Sequence, residues 1–104
     1  MIALRTTKQG LIMSKYKLAT SATYRRQRKK LSLKDKEAID IVIEKLANDE
    51  ILEEKYKDHA LIGNFKDYRE CHIRPNLLLM YRIYDDILEL YLAQVGTHNE
   101  LFKK

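Results

Sequence analysis

Cysteine is nearly missing from this sequence: Cys71 is the only one in 104 residues, so no intrachain disulfide can form and nothing points to an oxidising compartment. Long apolar runs are missing as well. No stretch reaches the roughly 18 residues that a membrane span needs, and Arg5 and Lys8 interrupt the apolar residues near the N-terminus, so no signal-peptide core forms. The chain is therefore expected in the cytoplasm, neither secreted nor embedded. It has no glycine-rich phosphate loop, which removes the usual equipment for nucleotide hydrolysis. Repeats and low-complexity tracts are also absent, in keeping with a single folded unit.

What is present suits a small globular domain. A chain of this length can bury one modest core, and 45% hydrophobic with 34% charged residues gives such a core a well-solvated surface. The net charge of +5 is unevenly spread. Residues 1–36 carry eleven Lys/Arg against a single acid, Asp35, for a formal +10, whereas the remainder carries nine basic and fourteen acidic residues, for −5. A basic face of this kind either attracts a polyanion such as nucleic acid, with affinity that falls as salt rises, or simply keeps the domain soluble.

Residues 1–13 show no clear period and are expected to be an N-terminal extension, with residues 14–104 forming the domain. The strand-like Tyr16-Lys17-Leu18 comes first. Thr20 or Ser21 is positioned to cap a helix that puts Tyr24, Gln27 or Arg28, and Leu31 on one stripe and Arg25, Arg26, Lys29 and Lys30 outside. Ser32 with Asp35 reads as a capping box, opening a second helix whose Ile39, Val42, Ile43 and Leu46 follow an i, i+3, i+4, i+7 pattern up to Asn48-Asp49. A long loop from about Glu50 to Lys66 follows. Three strand-like runs, 68–73, 77–84 and 87–95, are separated by turns at Pro75-Asn76 and Asp85-Asp86. The expected class is α+β: a strand, two helices and a three-strand antiparallel meander, with the helices packed on one sheet face and the other face open for a ligand.

The candidates for chemistry are the three histidines His59, His72 and His98, each among polar residues. Histidine, with an unperturbed pKa of about 6.5, is the side chain best suited to proton transfer near neutrality, although a histidine taken singly is more often structural. Strand alternation puts Tyr68, Glu70 and His72 on the open face and Arg69, Cys71 and Ile73 on the core face, and it sends Arg82 from the next strand to the open face, where it can hold a phosphate or stand solvated. Spacings of 13 and 26 residues between the histidines match no common zinc pattern, so no metal or other cofactor is expected. Cys71, turned to the core, is not expected to act as a nucleophile.

Three segments carry more than this. They are Tyr56-Lys57-Asp58-His59-Ala60-Leu61-Ile62-Gly63, then Tyr68-Arg69-Glu70-Cys71-His72-Ile73-Arg74-Pro75-Asn76, and Gly96-Thr97-His98-Asn99-Glu100-Leu101-Phe102. In order they give a D-H-x-L-x-G loop, a Y-R-[DE]-x-H strand running into a proline turn, an apolar strand ending near Tyr, and a terminal G-[ST]-H-x-x-L-F. This pattern resembles the YafQ branch of the RelE-type toxins of type II toxin–antitoxin systems. The likeness covers roughly residues 14–102 and is strongest over 56–102.

The resemblance implies a RelE-like fold and an endoribonuclease that cuts mRNA on the ribosome without a metal, inhibits translation, and is silenced by a cognate antitoxin whose acidic segment lies over the basic and active-site face. By position, His98 matches the main catalytic residue, a general acid for the leaving 5′ oxygen, while His59 and His72 match the other site histidines. Phe102 matches an aromatic that stacks on a base or, more plainly, closes the core. Glu70 stands where aspartate is also common. Asn76 stands where the family often has aspartate, and an amide cannot take up a proton as a carboxylate does. The base role accordingly moves to His72 oriented by Glu70, or to His59 oriented by Asp58. The 2′-OH would attack phosphorus to leave a 2′,3′-cyclic phosphate, with Arg82, Arg69 and Lys57 stabilising the phosphorane charge.

Overall fold

The computed structural model describes residues 4–7 and 10–102, with side chains from Ser14 onward. Strands β1 (Leu4–Thr7) and β2 (Gly10–Met13) form an antiparallel ribbon of their own inside the segment read as an extension, whose residues 1–3 and 8–9 lie outside the described residues. The domain proper runs β3 (Lys17–Thr20), α1 (Ala22–Lys29), α2 (Leu33–Ala47), β4 (His59–Ala60), β5 (Arg69–Arg74), β6 (Leu77–Tyr84), β7 (Glu89–Gly96) and α3 (His98–Phe102). The main sheet has the order β3-β7-β6-β5-β4 and is antiparallel except that β3 lies parallel to β7. Among the described residues no helix is long and apolar enough to cross a membrane.

The two long helices form where the pattern puts them. Ser21 caps α1, accepting from the Tyr24 N–H at 2.8 Å, and Ser32 caps α2, accepting from the Asp35 N–H at 3.1 Å. The Asp35 carboxylate pairs with Arg74 at the end of β5, which ties the start of α2 to the sheet. Asp49 ends α2 in a left-handed conformation with φ 62°. The buried stripe Ile39, Val42, Ile43 and Leu46 lies against Cys71, Leu79, Tyr81, Leu90, Leu92 and Val95 and makes the main core.

α1 also completes the sheet where β3 stops. The Ser21 hydroxyl donates to the Ala93 carbonyl at 2.6 Å, and the Val95 N–H donates to Gln27 Oε1 at 2.8 Å, so two edge groups of β7 that would otherwise lack a strand partner are satisfied. This is why a glutamine sits on the inward stripe beside Tyr24.

Two expectations need correction. The segment 50–66 is not a plain loop: it holds 3-10 turns at Glu54–Tyr56 and Gly63–Phe65 and the short strand β4, which pairs with β5. The second sheet face is not open either. Leu77, Leu78, Leu79, Met80 and Tyr81 are all buried, and a strand apolar on both faces demands cover on both. On the second face Leu78, Met80 and Ala93 are covered by Leu101 of α3, with Leu61, Phe65, Tyr68 and Phe102 packed around them. A register shift beside Met80 sets it opposite Gln94 while Tyr81 faces Leu92, leaving Ala93 as an extra bulged residue on that face.

Candidate active site

His59 stands directly across from Glu70 in the β4–β5 pairing, and His72 follows Glu70 by two residues on the same face of β5. His59 Nε2 lies 3.5 Å and His72 Nε2 3.9 Å from Glu70 Oε1, and the two imidazole centroids are 6.2 Å apart. Glu70 is only 4% exposed, and its second oxygen, Oε2, has no hydrogen-bond partner among the described residues. A buried carboxylate is costly unless positively charged or hydrogen-bonding groups surround it. Two imidazoles are the groups placed here to do that. His59 is oriented from behind by the Lys57 carbonyl, 2.7 Å from Nδ1. Lys57 takes a left-handed conformation, φ 48°, that ends the 3-10 turn before it. With Nδ1–H donating to that carbonyl, Nε2 is the nitrogen left facing Glu70 and the solvent.

His98 opens α3. A reciprocal capping box holds that helix: the Thr97 N–H donates to Glu100 Oε1 at 2.8 Å and the Glu100 N–H to Thr97 Oγ1 at 3.2 Å. The His98 side chain is exposed, and its ring centroid lies 4.8 Å from that of Phe102. Phe102 meets Phe65 edge-on at 5.1 Å, so it is anchored in the second core and also backs His98. The pairing His72↔Leu78↔Gly96 sets β5 and β7 in one row. Adjacent strands are about 4.8 Å apart, which brings the His72 and Gly96 backbones within about 10 Å, with His98 two residues further on. The three histidines and Glu70 thus share one end of the second sheet face.

Other expected residues lie elsewhere. Asp58 does not orient His59; its Oδ1 accepts from the Tyr81 hydroxyl at 2.5 Å and from Arg69 Nε at 3.3 Å. Tyr81 belongs to the helix-side core, and Arg69 alternates with Glu70, so Arg69 points away from the histidine pair. Burial, followed by the Asp58 carboxylate, pushes the Tyr81 phenol up. Arg82 is on the second face as expected, but its guanidinium sits 4.4 Å from the Tyr84 ring and 5.8 Å from the Tyr68 ring, four residues or about 13 Å along β6 from Leu78. Asn76 lies in the β5–β6 turn and lines a cleft of about 350 Å³ together with Gly96, Thr97 and Glu100, beside the cap that carries His98. Cys71 is fully buried, and burial first, then the Asp58 and Glu70 carboxylates, pushes its thiol up to about 12.

A second cleft, about 480 Å³, lies beside His72 and is lined by Lys57 together with Lys55, Tyr56 and Arg74. Sequence reasoning passed over those last three. Lys55 and Tyr56 sit in a stretch without period, and a register shift between His72 and Arg74 upsets the simple alternation that would have marked Arg74. Another cavity, about 530 Å³, is an apolar groove between α1, α2 and β3 on the opposite side, and none of the histidines lines it. Among the described residues no group of three or more His, Cys, Asp or Glu side chains converges for a metal ion.

This chain matches known proteins along most of its length. The family model described as the bacterial toxin of type II toxin–antitoxin system, YafQ, matches residues 16–103. A putative toxin YafQ from Haemophilus influenzae is 43% identical over 51 residues, and an mRNA interferase toxin YafQ from Escherichia coli is 43% identical over 47 residues. These alignments cover 47% and 45% of this chain and 50% and 49% of the relatives, so the chain spans about half the length of the curated relatives it matches. Among solved structures, a copper-bound mutant toxin from Helicobacter pylori is 38% identical with a TM-score of 0.75, covering 82% of this chain and 97% of that one. The Escherichia coli DinJ–YafQ toxin–antitoxin complex contains a chain 30% identical with a TM-score of 0.74, covering 85% of this chain and 98% of that one. On these matches, the chain belongs to the YafQ family of toxins of bacterial type II toxin–antitoxin systems.

Proposed function

We propose that this chain is an mRNA endoribonuclease that works on the ribosome in the cytoplasm and is restrained by a cognate antitoxin. The observation that carries the reading is the gathering of His59 from β4, Glu70 and His72 from β5, and His98 from the start of α3 at one end of one sheet face, three separate segments of the chain. RNA cleavage by internal attack needs a group to take the 2′-OH proton and another to supply one to the leaving 5′ oxygen. The Glu70 cluster offers the first: His59 or His72, each held against the buried carboxylate, removes the 2′ proton as the oxygen attacks phosphorus. The P–O5′ bond then breaks, and His98, exposed on its capped helix, protonates the departing oxygen. A 2′,3′-cyclic phosphate and a 5′-hydroxyl end result. Each proton-transfer role contributes roughly 10²–10⁴-fold.

Supporting this are the name mRNA interferase toxin given to the Escherichia coli relative and the antitoxin complex of the solved one. The basic α1, with Arg25, Arg26 and Lys29 exposed, offers a surface for ribosomal or messenger RNA. An antitoxin carrying an acidic segment over that face and the histidines would block both. Asn76, lacking a carboxylate, is confined to holding substrate, and of the cations expected to steady phosphate Lys57 is the one that shares a cleft with His72.

Inducing the chain in cells and mapping transcript 5′ ends by primer extension tests the proposal. Discrete new ends that vanish with His98→Ala are expected. Bound ribosomes with no new ends would replace the enzyme with a non-catalytic ribosome-binding module.

A further inference from the structure

The cleft beside His72 has a composition that the proton-transfer steps do not use. Its walls are the 3-10 turn Glu54–Tyr56 and the C-terminal half of β5. It exists because β4 pairs only with Arg69 and Glu70, so the rest of β5 has no strand on that side among the described residues, and the turn packs there instead. Lys57 is exposed at its rim with no ion pair among the described residues. Arg74 is half exposed and held by Asp35, which fixes its guanidinium and leaves other N–H donors free. Tyr56 is rooted in the main core, while the Lys55 ammonium lies 5.2 Å from its ring centroid. A ring whose face is reached by a flexible, solvent-exposed lysine is equally reachable by a planar base. At about 480 Å³ the cleft falls within the roughly 300–1,000 Å³ of small-ligand sites.

From this geometry we propose that the cleft is a nucleotide subsite for single-stranded RNA next to the scissile phosphate, with Tyr56 stacking on a base and Lys57 and Arg74 holding a backbone phosphate. The inference rests on the RNA-cleavage reading for its substrate, and deepens it by placing a neighbouring nucleotide. An antitoxin segment is the competing occupant. Three cations, a reachable aromatic ring and the His72 imidazole in one hollow fit a nucleotide better, because a flat ring beside cations suits a base and its phosphate, whereas an acidic peptide would use the cations alone.

The test uses the full chain carrying His98→Ala, binding a fluorescent mixed-sequence 12-nucleotide RNA at several salt concentrations. Adding Arg74→Gln is expected to weaken binding and lower the slope of log K against log salt by about 0.7, the share of one single-strand phosphate contact. Adding Tyr56→Ala is expected to weaken binding roughly ten-fold with the slope unchanged, and Tyr56→Trp to restore it. A merely structural role for Tyr56 would not be rescued by tryptophan and would not leave the slope intact. Unchanged RNA affinity in both variants overturns the subsite, and so does unchanged RNA affinity with lost binding of a polyglutamate peptide, which would assign the cleft to an acidic protein segment. Binding is read without cleavage, so RNA held through this cleft by the His98→Ala chain, together with a parent chain that never cuts it, would refute the enzyme while keeping the subsite.

Discussion

Gly96 fixes how α3 presents His98, and Gly96→Ala should show it. Gly96 has φ +156°, and a Cβ built there would lie 2.6 Å from Glu100 Oε1 and 3.3 Å from its Cδ. That oxygen is not free to move aside, because it accepts the Thr97 N–H at 2.8 Å. The methyl group therefore forces Glu100 out of the capping box, which costs about 1 kcal/mol as a lost cap, and the backbone conformation adds on the order of 1–3 kcal/mol for a residue with a Cβ. The expected total, about 2–4 kcal/mol, lowers the Tm of a domain this size by roughly 8–30 °C. Circular dichroism melts and initial cleavage rates, compared with Glu100→Ala, separate the contributions. Glu100→Ala should lose the cap alone, about 1 kcal/mol, and the double variant should be less destabilised than the sum of the singles because the clash has gone. Strict additivity, or a Gly96→Ala protein that melts and cuts like the parent, would refute the reasoning.

Three further outcomes are expected. Tyr81→Phe removes the hydroxyl that Asp58 accepts at 2.5 Å, leaving only the 3.3 Å bond from Arg69; urea unfolding should show a loss of about 1.5–3 kcal/mol, with slower cleavage because the Lys57–His59 segment is less firmly held. The raised value of the Cys71 thiol means that its stabilising contribution is whole below its ordinary 9.0 and is lost as pH climbs to about 12; urea midpoints across that window should fall in the parent and fall less steeply in Cys71→Ala. Gln94 accepts from Gln27 Nε2 and donates to the Leu101 carbonyl, each at 3.3 Å, so Gln94→Leu should cost on the order of 1 kcal/mol and speed amide exchange in α3.

The helices were legible because their signals are local. Ser21, Ser32 and the Ile39 to Leu46 stripe require only a cap and one buried face. The turns at Pro75 and Asp85 and the three meander strands were legible for the same reason. β4 was not, since two residues carry no period and His59 pairs across the sheet with Glu70 only after the fold has closed. The covered second face escaped because alternation along β6 assumes that one side meets water, whereas the unbroken run Leu77 to Tyr81 buries both.

The histidines could be picked out by type, and their grouping was implied by resemblance. The partner of each depended on tertiary packing. Asp58 is next to His59 in the chain, yet its carboxylate reaches through to Tyr81, and Glu70, eleven residues from His59, takes its place. The bulge at Ala93 and the register shift beyond His72 displaced other side chains from simple alternation, Arg74 among them.

The central claim is that His98 supplies the proton to the leaving 5′ oxygen. A direct measurement compares parent and His98→Ala on an RNA cut on ribosomes and on the same RNA with sulfur replacing the 5′ bridging oxygen, a leaving group that needs no proton. His98→Ala should be slower than the parent by roughly 10²–10⁴-fold on the oxygen substrate and close to parental on the sulfur one. An equal loss on both would contradict the assignment and leave His98 a binding residue.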